Sequence, residues 1–385
     1  SMTQSYQILE GRDFSNSGLE DEARLTLAVT VENTMKLMRM MGQSEKWREL
    51  QQTAEQLSSP WPVFAPAHLA EKSDLAIYWL DLRMAVQHAE QGIRACDEQM
   101  NAPQGQYFAT MLAELYLRAQ LWQPAVKHFL TALQLPYSLD QENRPSDFPI
   151  RIACVRAMLG GGHAQAAWEM LQHCCRGPAT DATPVEHPQL SRNDRLLLGC
   201  LKMEACHRLD MEEELQRICD EQIASVKEVP ELASLALLNS YIAGIACQRQ
   251  DKDTAQATAQ NSWQHSQILL TALLEKRLRP SSFLLDAVFK SFLHPLLLPQ
   301  HDDKTWQDLF TLEAKTLRSH TISWLYLDPI IQAMEKFGKQ ALLNQAGHAG
   351  CFNQAVRTRQ ECQTACAHLC DDEAIDLSAG LGAVA

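Results

Sequence analysis

The stretch QYFATMLAELYLRAQLWQPAVKHFLTALQLP, Gln106 to Pro136, decides the fold. Two helical runs meet at Gln120-Leu121-Trp122-Gln123. The first carries Leu112, Ala113 and Tyr116; the second carries Ala125, Phe129 and Ala132, with Pro136 closing it. The small residues Ala113, Ala125 and Ala132 let two helices approach closely, and Leu112, Tyr116 and Phe129 fill the space around that contact. A hairpin of this kind cannot bury its apolar face alone, so stacked neighbours and an extended surface are expected.

Outward from this hairpin the pattern recurs with decreasing clarity. Ile150 to Cys175 forms a second hairpin, with Ala153, Ala157, Ala166 and Met170 near the packing positions and Gly160-Gly161-Gly162 at the turn. Asp194 to Ala224 is a degenerate third, turning at Leu209-Asp210-Met211, with Glu214 where alanine is expected. Glu231 to Trp263 is a better fourth, carrying Ile242, Ala243, Ala246, Ala255 and Ala259 around the turn Gln250-Asp251-Lys252-Asp253. Upstream, Leu25, Ala28, Val31, Met35 and Met38 recur at steps of three and four, which predicts a helix beginning near Leu19. Trp47 to Leu57 reads as a short helix, broken at Ser58-Ser59-Pro60-Trp61-Pro62 because proline removes a donor. Ala67 to Met100 reads as a long helix or helical pair. Ser138–Pro149 and Arg176–Asn193 read as loop and linker. After Leu270 the repeat fades into helices expected over Phe283–Leu293, Lys304–Ser319, Thr321–Leu343 and Phe352–Cys370.

Alternating Val-Ile-Thr runs are nearly absent, so no sheet is expected. With 34 basic against 47 acidic side chains the net charge is -13, which opposes binding to phosphate backbones. The small cluster Lys276, Arg277 and Arg279 reads as a solvated helix end. No stretch is long and apolar enough to span a bilayer: the best, Ser281 to Pro299, contains Asp286, Lys290, His294 and Pro295. No secretory signal is visible at Ser1-Met2-Thr3-Gln4. Of the 12 cysteines, Cys154, Cys200, Cys206, Cys219 and Cys247 sit inside apolar helical runs, as small hydrophobes in a reducing compartment do. The expected location is cytoplasmic, with the nucleus left open.

The small-large-small order resembles the tetratricopeptide-repeat superfamily, well over Gln106–Pro136 and fairly over Ile150–Cys175 and Glu231–Trp263. The step from Ala125 to Ala166 is about 41 residues, against a usual period of about 34. The resemblance implies an all-α fold, a tetratricopeptide-like α-solenoid of stacked antiparallel hairpins. The chain then divides into an irregular arm (1–18), a repeat region (19–270), a C-terminal region of degenerate repeats or a cap (271–375) and a frayed tail (376–385). In this superfamily the first helix of each hairpin lines the concave face. That implies a partner-binding groove formed by Thr110, Glu114, Leu117, Arg118, Arg151 and Val155. Co-chaperones of the superfamily grip a carboxylate there with Lys, Asn and Arg. Here Glu114 would repel it and Val155 cannot bond it, so a mixed or apolar ligand is expected.

Chemical motifs are sparse. Cys362, Cys366 and Cys370 step by four, with His368 between them and His348 and Cys351 upstream. Thiols on successive turns are spread too far for one ion, so a small-residue packing face is preferred to a metal or redox site. Cys174-Cys175 reads as a helix end. Gly160-Gly161-Gly162 lacks the Lys-Ser/Thr of a phosphate loop, and Met35, Met38, Met40 and Met41 read as core. No catalytic residue, metal or cofactor is assigned. The expected function is a non-catalytic protein–protein interaction scaffold or adaptor, a subunit of a larger assembly, binding a helical or extended segment of a protein partner. A homo-oligomer is compatible with that; nucleic acid and membrane are not expected partners. The alternative is a regulatory sensor that binds a short peptide or small ligand, and a metal or redox protein comes after that.

Overall fold

The computed structural model describes residues 21–41, 43–59, 61–99, 102–134, 147–173, 190–228 and 231–370. The expected arm (1–18), the tail (376–385), Pro60, Pro136, residues 138–146, residues 176–189 and the Cys174-Cys175 pair lie outside them. Among the described residues there are seventeen α-helices and no strand. In chain order these are α1 (Asp21–Met40), α2 (Ser44–Ser58), α3 (Ala65–Tyr78), α4 (Leu82–Glu98), α5 (Ala102–Arg118) and α6 (Trp122–Gln134). Then come α7 (Phe148–Gly160), α8 (Ala164–His173), α9 (Arg192–Arg208), α10 (Glu212–Glu228), α11 (Leu232–Gln248) and α12 (Lys252–Leu274). The last are α13 (Ser282–Phe292), α14 (Asp303–Thr316), α15 (Thr321–Lys336), α16 (Gln340–Gln345) and α17 (Ala349–Ala365).

Several expected boundaries change, among them the loop expected to run to Pro149, whose Phe148 and Pro149 begin α7. The helix expected over Thr321–Leu343 breaks into α15 and α16, because Gly338 turns the chain with φ +65°. The helix expected to run to Cys370 ends at Ala365, and Ala367–Leu369 continues as a 3-10 turn. Arg192 and Asn193, expected in a linker, begin α9, capped by Ser191, whose hydroxyl accepts the Asp194 amide at 3.2 Å.

One turn recurs. Leu80, Gln120, Gly162, Asp210 and Gln250 all have positive φ, and they fall about every 40 residues. Each follows the first helix of a pair, and the residue after it donates its amide to a carbonyl five residues back. Those pairs are Asp81 to Ala76, Leu121 to Tyr116, His163 to Met158, Met211 to Cys206 and Asp251 to Ala246, at 2.8–2.9 Å. These bonds satisfy carbonyls that the helix end would otherwise orphan, and they send the chain back along the helix it has left. The turn is therefore set by backbone hydrogen bonding and tolerates Leu, Gln, Asp or Gly at its left-handed position.

The chain divides into two compact units, Ser1–Leu112 with Leu135–Arg144, and Ala113–Gln134 with Pro145–Ala385. In the first, Ala28, Val31, Met35, Met38, Trp47, Leu50, Ala54, Leu57 and Leu75 form one buried cluster from α1, α2 and α3. The expected methionine core is present in Met35 and Met38, while Met41 is exposed. Gly92 of α4 leaves room for a side chain of α5: a Cβ there would lie 2.2 Å from the Phe108 ring. In the second unit Ala113, Tyr116, Ala125 and Phe129 are all buried, as expected for the deciding hairpin. Alternate helices are neighbours: α7 packs on α9, α9 on α11, α11 on α13 and α13 on α15.

Candidate functional site

The residues expected to line an open groove are mostly covered. Thr110 is half-buried, and its hydroxyl donates to the Gln106 carbonyl at 2.9 Å. Glu114 and Arg151 are half-buried; Leu117, Arg118 and Val155 are buried, at 2%, 6% and 0% exposure. The reason lies in the second unit itself. Thr321, at the first turn of α15, donates its hydroxyl to Glu114 Oε2 and accepts from Arg118 Nε, both at 3.2 Å. Gln363 of α17 donates to the Ala119 carbonyl at 2.8 Å. Glu114 and Arg118 therefore meet α15 of the same chain, and Leu117 and Val155 are buried.

The same alternate helices carry a buried polar seam. Arg156 of α7 pairs with Asp286 of α13 at 2.8 Å, with side chains 13% and 2% exposed. Tyr326 of α15 donates to the other Asp286 oxygen at 2.5 Å. Lys290 of α13 stands 4.0 Å from the Tyr241 ring centre on α11 and 3.8 Å from Glu204 of α9. Burial, reinforced by Asp286, pushes both the Tyr241 and the Tyr326 phenols well up. The seam thus joins five helices through groups that must be satisfied when desolvated. Sequence reasoning missed it, although Asp286 and Lys290 stood inside an apolar run. A carboxylate in such a run needs a buried partner, and Arg156 directly follows Val155.

One open feature of the second unit lies at its C-terminal end. A cleft of about 320 Å³ is lined by Ile331, Met334 and Glu335 of α15, Gln340 and Leu343 of α16, and Phe352, Asn353, Val356, Arg357 and Gln360 of α17. Its floor is apolar: Met334, Leu343 and Phe352 are buried, and Ile331 and Val356 are half-buried. Its rim is polar and exposed, with Glu335 from α15 facing Asn353, Arg357 and Gln360 from α17. Asp328 and Arg359 form an ion pair between α15 and α17. This region corresponds to the expected helices after Phe283, where the repeat lapses.

Cys362 and Cys366 are buried and Cys370 is exposed beyond the end of α17, so the three thiols do not share one helical face. No disulfide joins the described cysteines, and among the described residues no cluster of His, Cys, Asp and Glu has metal-holding geometry. Burial pushes the Cys96 thiol up to about 11, with Asp97 adding to it, and raises Cys200 further. Ser58 and His68 in the first unit make the hydroxyl–imidazole contact of a nucleophile and base. Both are buried, however, and the Ser58 hydroxyl donates to the Ala54 carbonyl at 2.8 Å. Among the described residues no helix is long and apolar enough to cross a membrane. No protein-family model matches the chain, and no curated protein is detectably similar to it.

Proposed function

We propose that this chain is a non-catalytic protein–protein interaction scaffold, a tetratricopeptide-like solenoid of stacked antiparallel hairpins that serves as a subunit of a larger assembly. The turn that recurs about every 40 residues and the packing of alternate helices support the solenoid reading. The observation that carries the binding site is the cleft between α15 and α17: an apolar floor with a polar rim, on a chain whose Glu114 and Arg118 already hold Thr321. A protein segment seating an apolar side chain on Met334, Phe352 and Val356, with polar contacts to Glu335 and Arg357, fits it. The acidic balance makes nucleic acid an unfavoured partner. Buried cysteines without disulfides suit a reducing, cytoplasmic setting.

A photo-crosslinking residue at Asn353, compared with one at Glu213 of α10, tests this in native extract. Crosslinks to protein from position 353, lost in Val356→Glu at an unchanged circular dichroism spectrum, are expected. Equal crosslinking from both positions, insensitive to Val356→Glu, would overturn the assignment. The sensor alternative has one observation in its favour, since a volume of about 320 Å³ is at the lower end for small-ligand pockets.

A further inference from the structure

The ten residues between α13 and α14, Leu293 to Asp302, hold two histidines in unusual surroundings. His294 and His301 are 5% and 6% exposed. The segment folds onto itself: Leu297 and Leu298 donate to the His294 carbonyl at 2.9 and 3.2 Å, and His301 Nε2 donates to the Phe292 carbonyl at 2.8 Å. Leu297 seals it onto Ala243 of α11 and Ala259 of α12, beside Trp263. His301 is stacked on Trp263, with ring centres 4.3 Å apart and planes 12° apart, and it lies within 5.6 Å of Phe292 and 5.8 Å of Trp306.

A carbonyl can only accept, so the bond to Phe292 places the His301 proton on Nε2 and leaves Nδ1 bare. That nitrogen is buried with no partner, as are both ring nitrogens of His294. Protonation would bury a charge and leave a new N–H donor at His301 without an acceptor. Stacking on Trp263 favours the imidazolium in part. The charged group acting on His301 is Asp302, an exposed helix cap already accepting the Thr305 amide at 2.8 Å. The other elements packed on the segment present Ala243, Ala259, Trp263, Phe292 and Trp306, none of which ionises in this range. The Ala243 backbone lies near enough to oppose the effect on His294 in part, without the geometry of a hydrogen bond.

We propose that this connection is an acid-released latch: protonation of His294 and His301 frees Leu293–Asp302 from α11 and α12 and uncovers an aromatic face of Trp263, Phe292 and Trp306. The sign follows from burial, which pushes both imidazoles below their ordinary value of 6.5. A base held down in the folded state contributes stability above about pH 6.5 that is lost as pH falls below it. The latch would give the molecule a second, conditional binding surface, independent of the α15–α17 cleft.

Hydrogen–deuterium exchange read by peptide, in the full chain between pH 7.5 and pH 5, tests it, with α10, which carries no histidine, as an internal reference. Expected is a loss of protection over residues 293–302 of about ten-fold or more beyond the chemical pH effect, with α10 unchanged. The double variant His294→Gln/His301→Gln should lose that pH dependence. Unchanged protection of 293–302 in the wild type, or the same response in the double variant, would overturn the latch. Should the double variant not fold, imidazole C2–H exchange on the wild type decides. Titration of both rings below 6.5 together with opening supports the proposal, and titration of either at or above 6.5 sinks it.

Discussion

The two units place their charge differently. In the first, Arg39 pairs with Asp74 at 2.5 Å and lies over Trp47, at the edge of an apolar cluster, with the arginine side chain 45% exposed. In the second, Arg156 and Asp286 are sealed between helices, with a tyrosine hydroxyl on the same carboxylate. Solvent screens a peripheral pair and can replace either partner; a sealed pair has no substitute. Charge in the first unit decorates a core that would form without it. In the second it specifies which helices may be neighbours, because a slipped register would strand Asp286.

Breaking each pair in turn tests that contrast most severely. Asp286→Ala leaves Arg156 buried without its partner and should cost roughly 3–5 kcal/mol, whereas Asp74→Ala should cost about 0–1 kcal/mol, both read by denaturant unfolding. Comparable losses would erase the distinction. Close packing sharpens it next. A Cβ on Gly92 would meet the body of the buried Phe108 ring at 2.2 Å, while one on Gly160 would meet the half-buried Trp122 ring at 2.7 Å. Gly92→Ala should therefore cost about 1–3 kcal/mol and Gly160→Ala less, with Phe108→Leu rescuing the former.

A third comparison concerns pH. Glu313 of α14 is wholly buried with no partner on either oxygen, and burial holds its carboxyl well above the ordinary range. A raised acid contributes stability that is intact below its ordinary value near 4.5 and lost as pH rises toward the folded value. Over that window each pH unit costs about 1.4 kcal/mol, and Glu313→Gln should flatten the slope. An identical pH profile for the variant would show that the carboxyl finds a partner. The smallest effect is expected at the recurring turn: Gln250→Gly relieves a left-handed glutamine at φ +62° and should add about 1 kcal/mol. No gain in melting temperature would mean that the exposed Gln250 side chain offsets the strain.

Element positions were largely legible because helical periodicity and turn residues are local. Leu209-Asp210-Met211 and Gln250-Asp251 turn where their composition suggests, and the Ala113–Phe129 hairpin is buried as its spacing implies. The break at Gly338 was hidden because Phe337 and Lys339 continue a helix-favouring stretch. The burial of the expected groove residues was hidden for a different reason. Whether Arg118 meets solvent depends on Thr321, 203 residues later, and no window of sequence contains both. The seam was half-visible: Asp286 announced a buried carboxylate, but its partner on α7 could not be chosen from several arginines without the packing order of the helices.

The Thr321 hydroxyl has a consequence for synthesis. Chains are made at about 5–20 residues per second, so the 203 residues between Arg118 and Thr321 take about 10–40 s to add. For that interval Glu114 and Arg118 have been made but lack the hydroxyl they share in the finished molecule. α15 is therefore made long after the α5 residues it bonds, and a ribosome stalled before residue 321 would hold a chain whose Glu114 and Arg118 are still open to whatever binds nascent protein.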